Sequence, residues 1–271
     1  MIAKTSGIVL RVDPFSRTSS IVTWLSPDIG KLVTVAKGAR RVRHPFLGQF
    51  DVFQSCEFLF YRGRHSTLHL LKECSIEKVR PRFRDDWRAS VCASYLCDLV
   101  VRLTPHAARQ TGLSAFLGGV LDFMEEQGAT MPVLHWAEIN LLRLLGVAPK
   151  LAACVACGIK PSDDRHIAHF AVARGGIVCA KCRAHTAGPV LPVSPDVLAM
   201  LRSWQNASSP RMAQRTTCTP EQERAVSALI AAFLHYHLES SSARDIAMGL
   251  AAAGRSLDEN GCLVPLSTTR R

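Results

Sequence analysis

No stretch of the sequence is apolar for long enough to cross a bilayer. The most apolar run, Val226 to Leu234, is nine residues, whereas a span needs about 18 or more. The first six residues hold no apolar signal core, so the expectation is a protein that stays in the cytosol and does not engage membranes. Nucleotide-binding and hydrolytic signatures are missing as well. There is no G-x-x-x-x-G-K-[ST], no G-x-G-x-x-G, no G-x-S-x-G and no H-E-x-x-H, which leaves no energy-using site and no familiar catalytic set. The Gly30-Lys31 dipeptide lacks the first glycine of a phosphate loop and reads as a hairpin turn. Acidic residues are also in short supply, 22 against 33 Lys and Arg, a net charge of +11. That imbalance makes an anionic partner the first guess.

The excess is unevenly placed. Residues 1–80 hold 13 basic and 6 acidic residues, residues 81–150 hold 7 of each, and residues 151–271 hold 13 and 9. At 271 residues and 48% hydrophobic composition, the chain is large enough for two modest domains and too apolar for wholesale disorder.

Residues 1–80 carry five short β-rich segments separated by turn chemistry, near 8–10, 20–25, 32–36, 50–61 and 67–71. Five antiparallel strands in so short a span fit a small closed barrel, most commonly an OB-fold. Residues 81–149 switch to helical spacing, with stripes through Val91, Tyr95 and Leu99, through Leu113, Leu117, Val120 and Met124, and through Leu134, Ile139 and Leu142. Residues 150–190 break that period. Residues 191–271 resume it, with Thr219-Pro220-Glu221-Gln222 as a helix start. Ala225, Leu229, Ala232, Phe233 and Tyr236 read as the inner face of that helix, and a last helix is expected over 243–253. The fold class is therefore α+β: an N-terminal five-stranded OB-fold barrel, then an all-α bundle with an inserted cysteine element.

Ten cysteines in a cytosolic protein are not a disulfide framework. Six are scattered, several in apolar stretches, and read as small buried hydrophobes. The other four form two C-x-x-C pairs, Cys154/Cys157 and Cys179/Cys182, 21 residues apart. Zinc takes four thiolates in a tetrahedron, and each C-x-x-C turn supplies two. All four places being cysteine leaves no open position for water, so the expected role is one structural zinc per chain. His166, His169 and His185 lie nearby as alternative ligands.

Basic residues cluster in the loops of the strand-rich region. Lys37, Arg40, Arg41 and Arg43 fall within seven residues; Arg62 and Arg64 sit at another turn, and Arg11, Arg17 and Lys31 lie near strand ends. Arginine forks suit phosphate, and a barrel with basic loops suits single-stranded nucleic acid. Phe46 is the best placed aromatic for stacking on a base.

The ordered set of segments resembles the RecO family of bacterial recombination mediators. It runs from Gly7-Ile8-Val9-Leu10-Arg11 and Ser20 to Pro27, through Gly30-Lys31-Leu32, Val35 to Arg41 and Gln49 to Gly63. It continues in Leu141 to Pro149, the four cysteines with Gly175-Gly176, and His235-Tyr236-His237-Leu238. The resemblance implies a non-enzymatic DNA-binding protein that binds single- and double-stranded DNA and anneals complementary strands. It implies work with RecR, and with RecF in some pathways, to load RecA onto strands coated by single-stranded DNA-binding protein, whose acidic C-terminal tail it touches. A cytoplasmic, nucleoid-associated location follows. The competing reading is an RNA- or ribosome-associated zinc-binding OB-fold protein.

Overall fold

A computed structural model describes residues 1–63, 67–160, 168–238, 255–257 and 263–265. It divides into two compact units, Met1–Gly128 and Ala129–Arg271.

The first unit is built on a closed barrel of β1 (Ile2–Pro14), β2 (Ser20–Ser26), β3 (Gly30–Ala36), β4 (Ser55–Tyr61) and β5 (Leu68–Lys78), in the order β1-β2-β3-β5-β4. All pairings are antiparallel except β3 with β5, where Val33 lies beside Leu68 and Val35 beside Leu70. That parallel closure is the five-stranded Greek-key barrel expected from the sequence. Alternation decides which side chains fill it: in β4, Cys56, Phe58 and Phe60 point inward and their neighbours do not. Trp24 stacks on Phe58 with ring centroids 4.2 Å apart, and its indole N–H donates to Thr34 Oγ1 at 2.9 Å. The buried tryptophan thereby keeps its polar atom paired.

The strand expected from residue 50 begins only at Ser55. Residues 37–49 instead run as successive turns, with the amides of Arg41, His44, Leu47 and Gln49 each donating to the carbonyl three residues earlier. Gly38, at φ +75°, starts this path, and a Cβ there would meet the His44 ring at 2.9 Å.

The expected helices follow as α1 (Arg82–Asp85), α2 (Trp87–Leu103) and α3 (Leu113–Gln127). Asp86 caps α2, its carboxylate accepting from Ala89 N at 3.1 Å. α3 lies on the barrel: Arg80, at the end of β5, pairs with Asp122, and the Ser114 hydroxyl reaches the Leu25 carbonyl at 3.5 Å.

The second unit centres on α4 (Met131–Leu144), in which Val133 through Leu142 are all buried. A helix apolar all round has to be enclosed, and α6 (Pro195–Asn206), α7 (Pro210–Gln214) and α8 (Pro220–Leu238) contact it. Its few polar groups are paired inward. Asn140 donates to the carbonyls of Trp136 and Trp204, both at 3.0 Å, and Trp136 Nε1 donates to Ala207 O at 2.9 Å. The buried face of α8 is Val226, Leu229, Ile230, Phe233 and Leu234. Ala225 and Tyr236, expected on that face, are exposed.

Between α4 and α6 stands a three-stranded sheet that helical spacing could not reveal. Its strands are β6 (Ala168–Ala171), β7 (Gly176–Val178) and β8 (Val190–Val193), in the order β7-β6-β8, with the short helix α5 (Ala180–Arg183) after β7. Near the C-terminus, β9 (Arg255–Leu257) pairs antiparallel with β10 (Leu263–Pro265). The helix expected over 243–253 lies outside the described residues.

Candidate nucleic-acid interface and metal centre

Two turns of the barrel meet to make the basic surface. The amide of Arg40 donates to Thr18 O at 3.0 Å, its guanidinium reaches Ser16 O at 3.3 Å, and the Gly38 amide donates to the Ser19 hydroxyl at 3.2 Å. The β1–β2 turn, with exposed Arg17, is thereby joined to the β3–β4 loop, with exposed Lys37, Arg40, Arg41 and Arg43. Arg43 has φ +67°, an uncommon conformation for a side chain of this size. Arg11 is also exposed, and its Nε lies 2.8 Å from an Asp13 carboxylate oxygen, so part of its charge is already matched. Arg62 is exposed at the β4–β5 turn, and Arg64 falls outside the described residues.

Two expectations need correction. Lys31 is not on the surface. It is 7% exposed, its Nζ donates to Val101 O at 2.6 Å, and its own carbonyl accepts from Ala107. The segment after α2 covers it so closely that a Cβ on neighbouring Gly30 would sit 2.1 Å from Ala108 O. Phe46 is not a stacking platform either. It is buried in the barrel core with Phe50 beside it, ring centroids 6.1 Å apart. Its role is to pin the middle of the basic loop to the barrel by burying an aromatic ring.

The metal centre is in the second unit. The sulfurs of Cys154, Cys157, Cys179 and Cys182 all lie within 4.8 Å of one another. The Cys157 and Cys179 sulfurs are 3.9 Å apart, close to the roughly 3.8 Å that four ligands at about 2.3 Å from a tetrahedral zinc would give. Each C-x-x-C pair is a tight turn: Gly158 N donates to Cys154 O at 2.8 Å, and Cys182 N to Cys179 O at 3.1 Å. The two turns are tied together by the Cys179 amide, which donates to Cys154 Sγ at 3.4 Å. β7 holds the second pair against the first, with Val155 N donating to Ile177 O and Ile177 N to Lys150 O.

The electrostatics suit a thiolate cluster. Burial pushes the Cys154 thiol up, but the amides of Cys179, Cys157 and Ala156 outweigh it and bring the pKa to about 6. Hydrogen bonds with the Cys179 and Cys157 sulfurs, which hold its proton, push Cys182 up to about 12. A soft divalent metal would resolve both tendencies at once, so the donor set fits zinc. Among the described residues the cluster holds the four cysteines and no histidine: His169 Nε2 faces Arg183 Nη1 at 2.9 Å and His185 is exposed, while His166 lies outside the described residues.

Among the described residues, no helix is long and apolar enough to cross a membrane. A closed OB-fold barrel with arginine-bearing turns, followed in the chain by helices and a small sheet whose turns bring four thiols together, defines a multidomain α+β protein with a metal-binding knuckle. The comparisons narrow this to one family. Residues 1–80 match the family described as Recombination protein O N terminal, and residues 84–244 match Recombination protein O C terminal. Curated relatives named DNA repair protein RecO include that of Syntrophus aciditrophicus, 30% identical over 236 residues, covering 87% of this chain and 90% of the relative. That of Rhodopirellula baltica is 32% identical over 213 residues, 78% and 77%. That of Anaeromyxobacter dehalogenans is 29% identical over 262 residues, 97% and 98%. The chain belongs to the RecO family.

Proposed function

We propose that this chain is a non-enzymatic recombination mediator of DNA repair. In this reading it binds single- and double-stranded DNA, anneals complementary strands, and with RecR helps load RecA onto strands coated by single-stranded DNA-binding protein. The acidic tail of that protein, and RecF, are further partners, and the setting is cytoplasmic and nucleoid-associated. The observation that carries the reading is the joined pair of turns bearing Arg17, Lys37, Arg40, Arg41 and Arg43 on the barrel of a RecO-family chain.

The mechanism is electrostatic. Two complementary strands repel through their phosphates, and exposed guanidinium groups replace the condensed counterions that otherwise screen them. Fork-shaped donors hold phosphate oxygens at fixed positions and leave base edges free, so complementary bases meet without a nucleotide fuel. Arg11 and Arg62 extend the charged surface beyond the joined turns, and Arg64 belongs to the same proposal. Cys154, Cys157, Cys179 and Cys182 hold one structural zinc, which fixes the two turns of the knuckle against each other at the end of β7.

The test is annealing of two complementary oligonucleotides pre-coated with single-stranded DNA-binding protein, with no nucleotide added. Acceleration that fades as salt rises supports the reading. Folded, zinc-loaded protein that leaves the rate unchanged overturns it.

A further inference from the structure

Two cysteines outside the metal centre share one acceptor at the end of the basic loop. Cys56 on β4 is buried and Cys74 on β5 is partly exposed. Cys56 stands opposite Ile76, and Phe58 opposite Cys74, so the cysteines are diagonal neighbours on the inward face of the pair. Both thiols donate to the carbonyl of Gln49, from Cys56 at 3.7 Å and from Cys74 at 3.4 Å. Gln49 closes the turn-rich segment that begins at Lys37.

The two sulfurs differ in access. Cys74 lines an open recess of about 370 Å³ together with Lys37, His44, Pro45, Phe46, Lys72 and Glu73. A small oxidant reaches it through that recess. Cys56 lies behind it, kept protonated by its hydrogen bond with Cys74 and by burial. An accessible thiol with a second thiol at its back is the arrangement of a peroxide-sensing pair.

We propose that Cys56 and Cys74 are a peroxide-oxidised dithiol whose bridging loosens the basic loop. The Cys74 sulfur attacks one oxygen of hydrogen peroxide; the O–O bond breaks, and the second oxygen leaves as water with the thiol proton. The Cys56 sulfur then attacks the sulfenic sulfur of Cys74; the S–O bond breaks, and the hydroxyl departs as water with the Cys56 proton. Two thiols are oxidised to one disulfide, and one peroxide is reduced to two waters. The bridged sulfurs have no proton left to donate, so the Gln49 carbonyl loses both of these partners. Drawing the sulfurs to about 2.05 Å also shifts β4 against β5. The loop from Lys37 to Gln49 is then held less tightly. Only the consequence for DNA rests on the proposed function; the bridge and the loosening do not.

The experiment treats zinc-loaded full-length protein with hydrogen peroxide and maps peptides without reduction. The expected result is a dithiothreitol-reversible link between the peptides carrying Cys56 and Cys74. In Cys56→Ser, a sulfenic acid at Cys74 should instead be captured by a dimedone-type reagent. Amide exchange over 37–49 should quicken by about tenfold in the bridged protein, the factor for losing one or two modest hydrogen bonds. DNA affinity should fall and return with reductant. Oxidation confined to the four metal-site cysteines, or an unmodified Cys74 in Cys56→Ser, overturns the site. A bridge without faster exchange overturns the loosening. If reduced protein binds no DNA, the proposed function fails, while mapping and exchange still decide this inference.

Discussion

Arg80 and Asp122 form an ion pair across the seam between the barrel and α3. The guanidinium side chain is 2% exposed, its Nη2 lies 2.7 Å from Asp122 Oδ1, and its Nε donates to the same oxygen at 2.8 Å. Arg80 Nη1 also donates to the Phe53 carbonyl, whose residue has φ +71°. One buried arginine therefore fixes the helix and an unfavourable backbone conformation together. Asp122→Ala leaves that charge buried without its counterion and should cost about 3 kcal/mol, the low end for a broken buried pair. Lys78→Ala removes the more exposed partner of Asp122 and should cost under about 1 kcal/mol. Urea unfolding of both variants checks the contrast.

Metal content and stability should move together. Protein purified without chelator is expected to contain one zinc per chain by elemental analysis, and Cys179→Ser should lose most of it. Cys179→Ser removes one of the four clustered sulfurs and leaves the amide that reaches Cys154 in place, so the loss is of a metal ligand. A destabilisation of about 3 kcal/mol moves the thermal midpoint by roughly 6–12 °C in a chain of this size. A variant that unfolds like the parent would show that the knuckle holds without metal.

The start of α8 offers a smaller effect. Thr219 Oγ1 accepts from Gln222 N at 3.2 Å, and Gln222 Oε1 accepts from Thr219 N at 2.9 Å, a reciprocal capping box. Thr219→Ala should lower stability by about 1 kcal/mol and leave zinc content unchanged, as denaturant melts and metal analysis would show.

That cap was legible in the sequence because its cause is local: four consecutive residues carry the whole signal. The same holds for the C-x-x-C pairs and for the five strands, whose turns announce themselves. Lys31 and Phe46 depart from expectation because their burial is set at a distance. A lysine after a hairpin glycine looks solvent-facing until residues 106–108 cover it. A phenylalanine in a basic loop looks like a platform until the loop folds back on the barrel. The inner face of α8 keeps the expected Leu229 and Phe233 but runs through Val226, Ile230 and Leu234, because its neighbours lie on residues 172–174, α6 and α4. The sheet β6–β8 escaped because strands of three or four residues are too short to show a period.

The salt dependence of DNA binding should separate the exposed loop from the rest of the charge. If Arg40, Arg41 and Arg43 each displace about one counterion, changing all three to Ala flattens the slope of log affinity against log salt by roughly 2–3. All three are exposed, and the one side-chain bond lost, from Arg40 to Ser16 O, leaves the Arg40 amide on Thr18 O, so the fold should survive, which circular dichroism would verify. A folded triple variant with the parent's slope would place the contact elsewhere.

Lys31→Met supplies the opposite outcome. It removes the same unit of formal charge but from a buried position, so the salt slope should stay within about 0.3 of the parent, less than half the change expected for one lost phosphate contact. The consequence should appear in stability instead. Burial holds the Lys31 ammonium below its ordinary pKa of 10.5, so the folded chain binds that proton less tightly than the unfolded chain. Stability then rises with pH between the lowered folded value and the unfolded one, because there the unfolded state carries more protons. Methionine has no proton to lose, and its variant should lack that rise. Urea midpoints of both proteins from pH 7 to pH 10.5 would show it; parallel curves would mean that Lys31 is solvated after all.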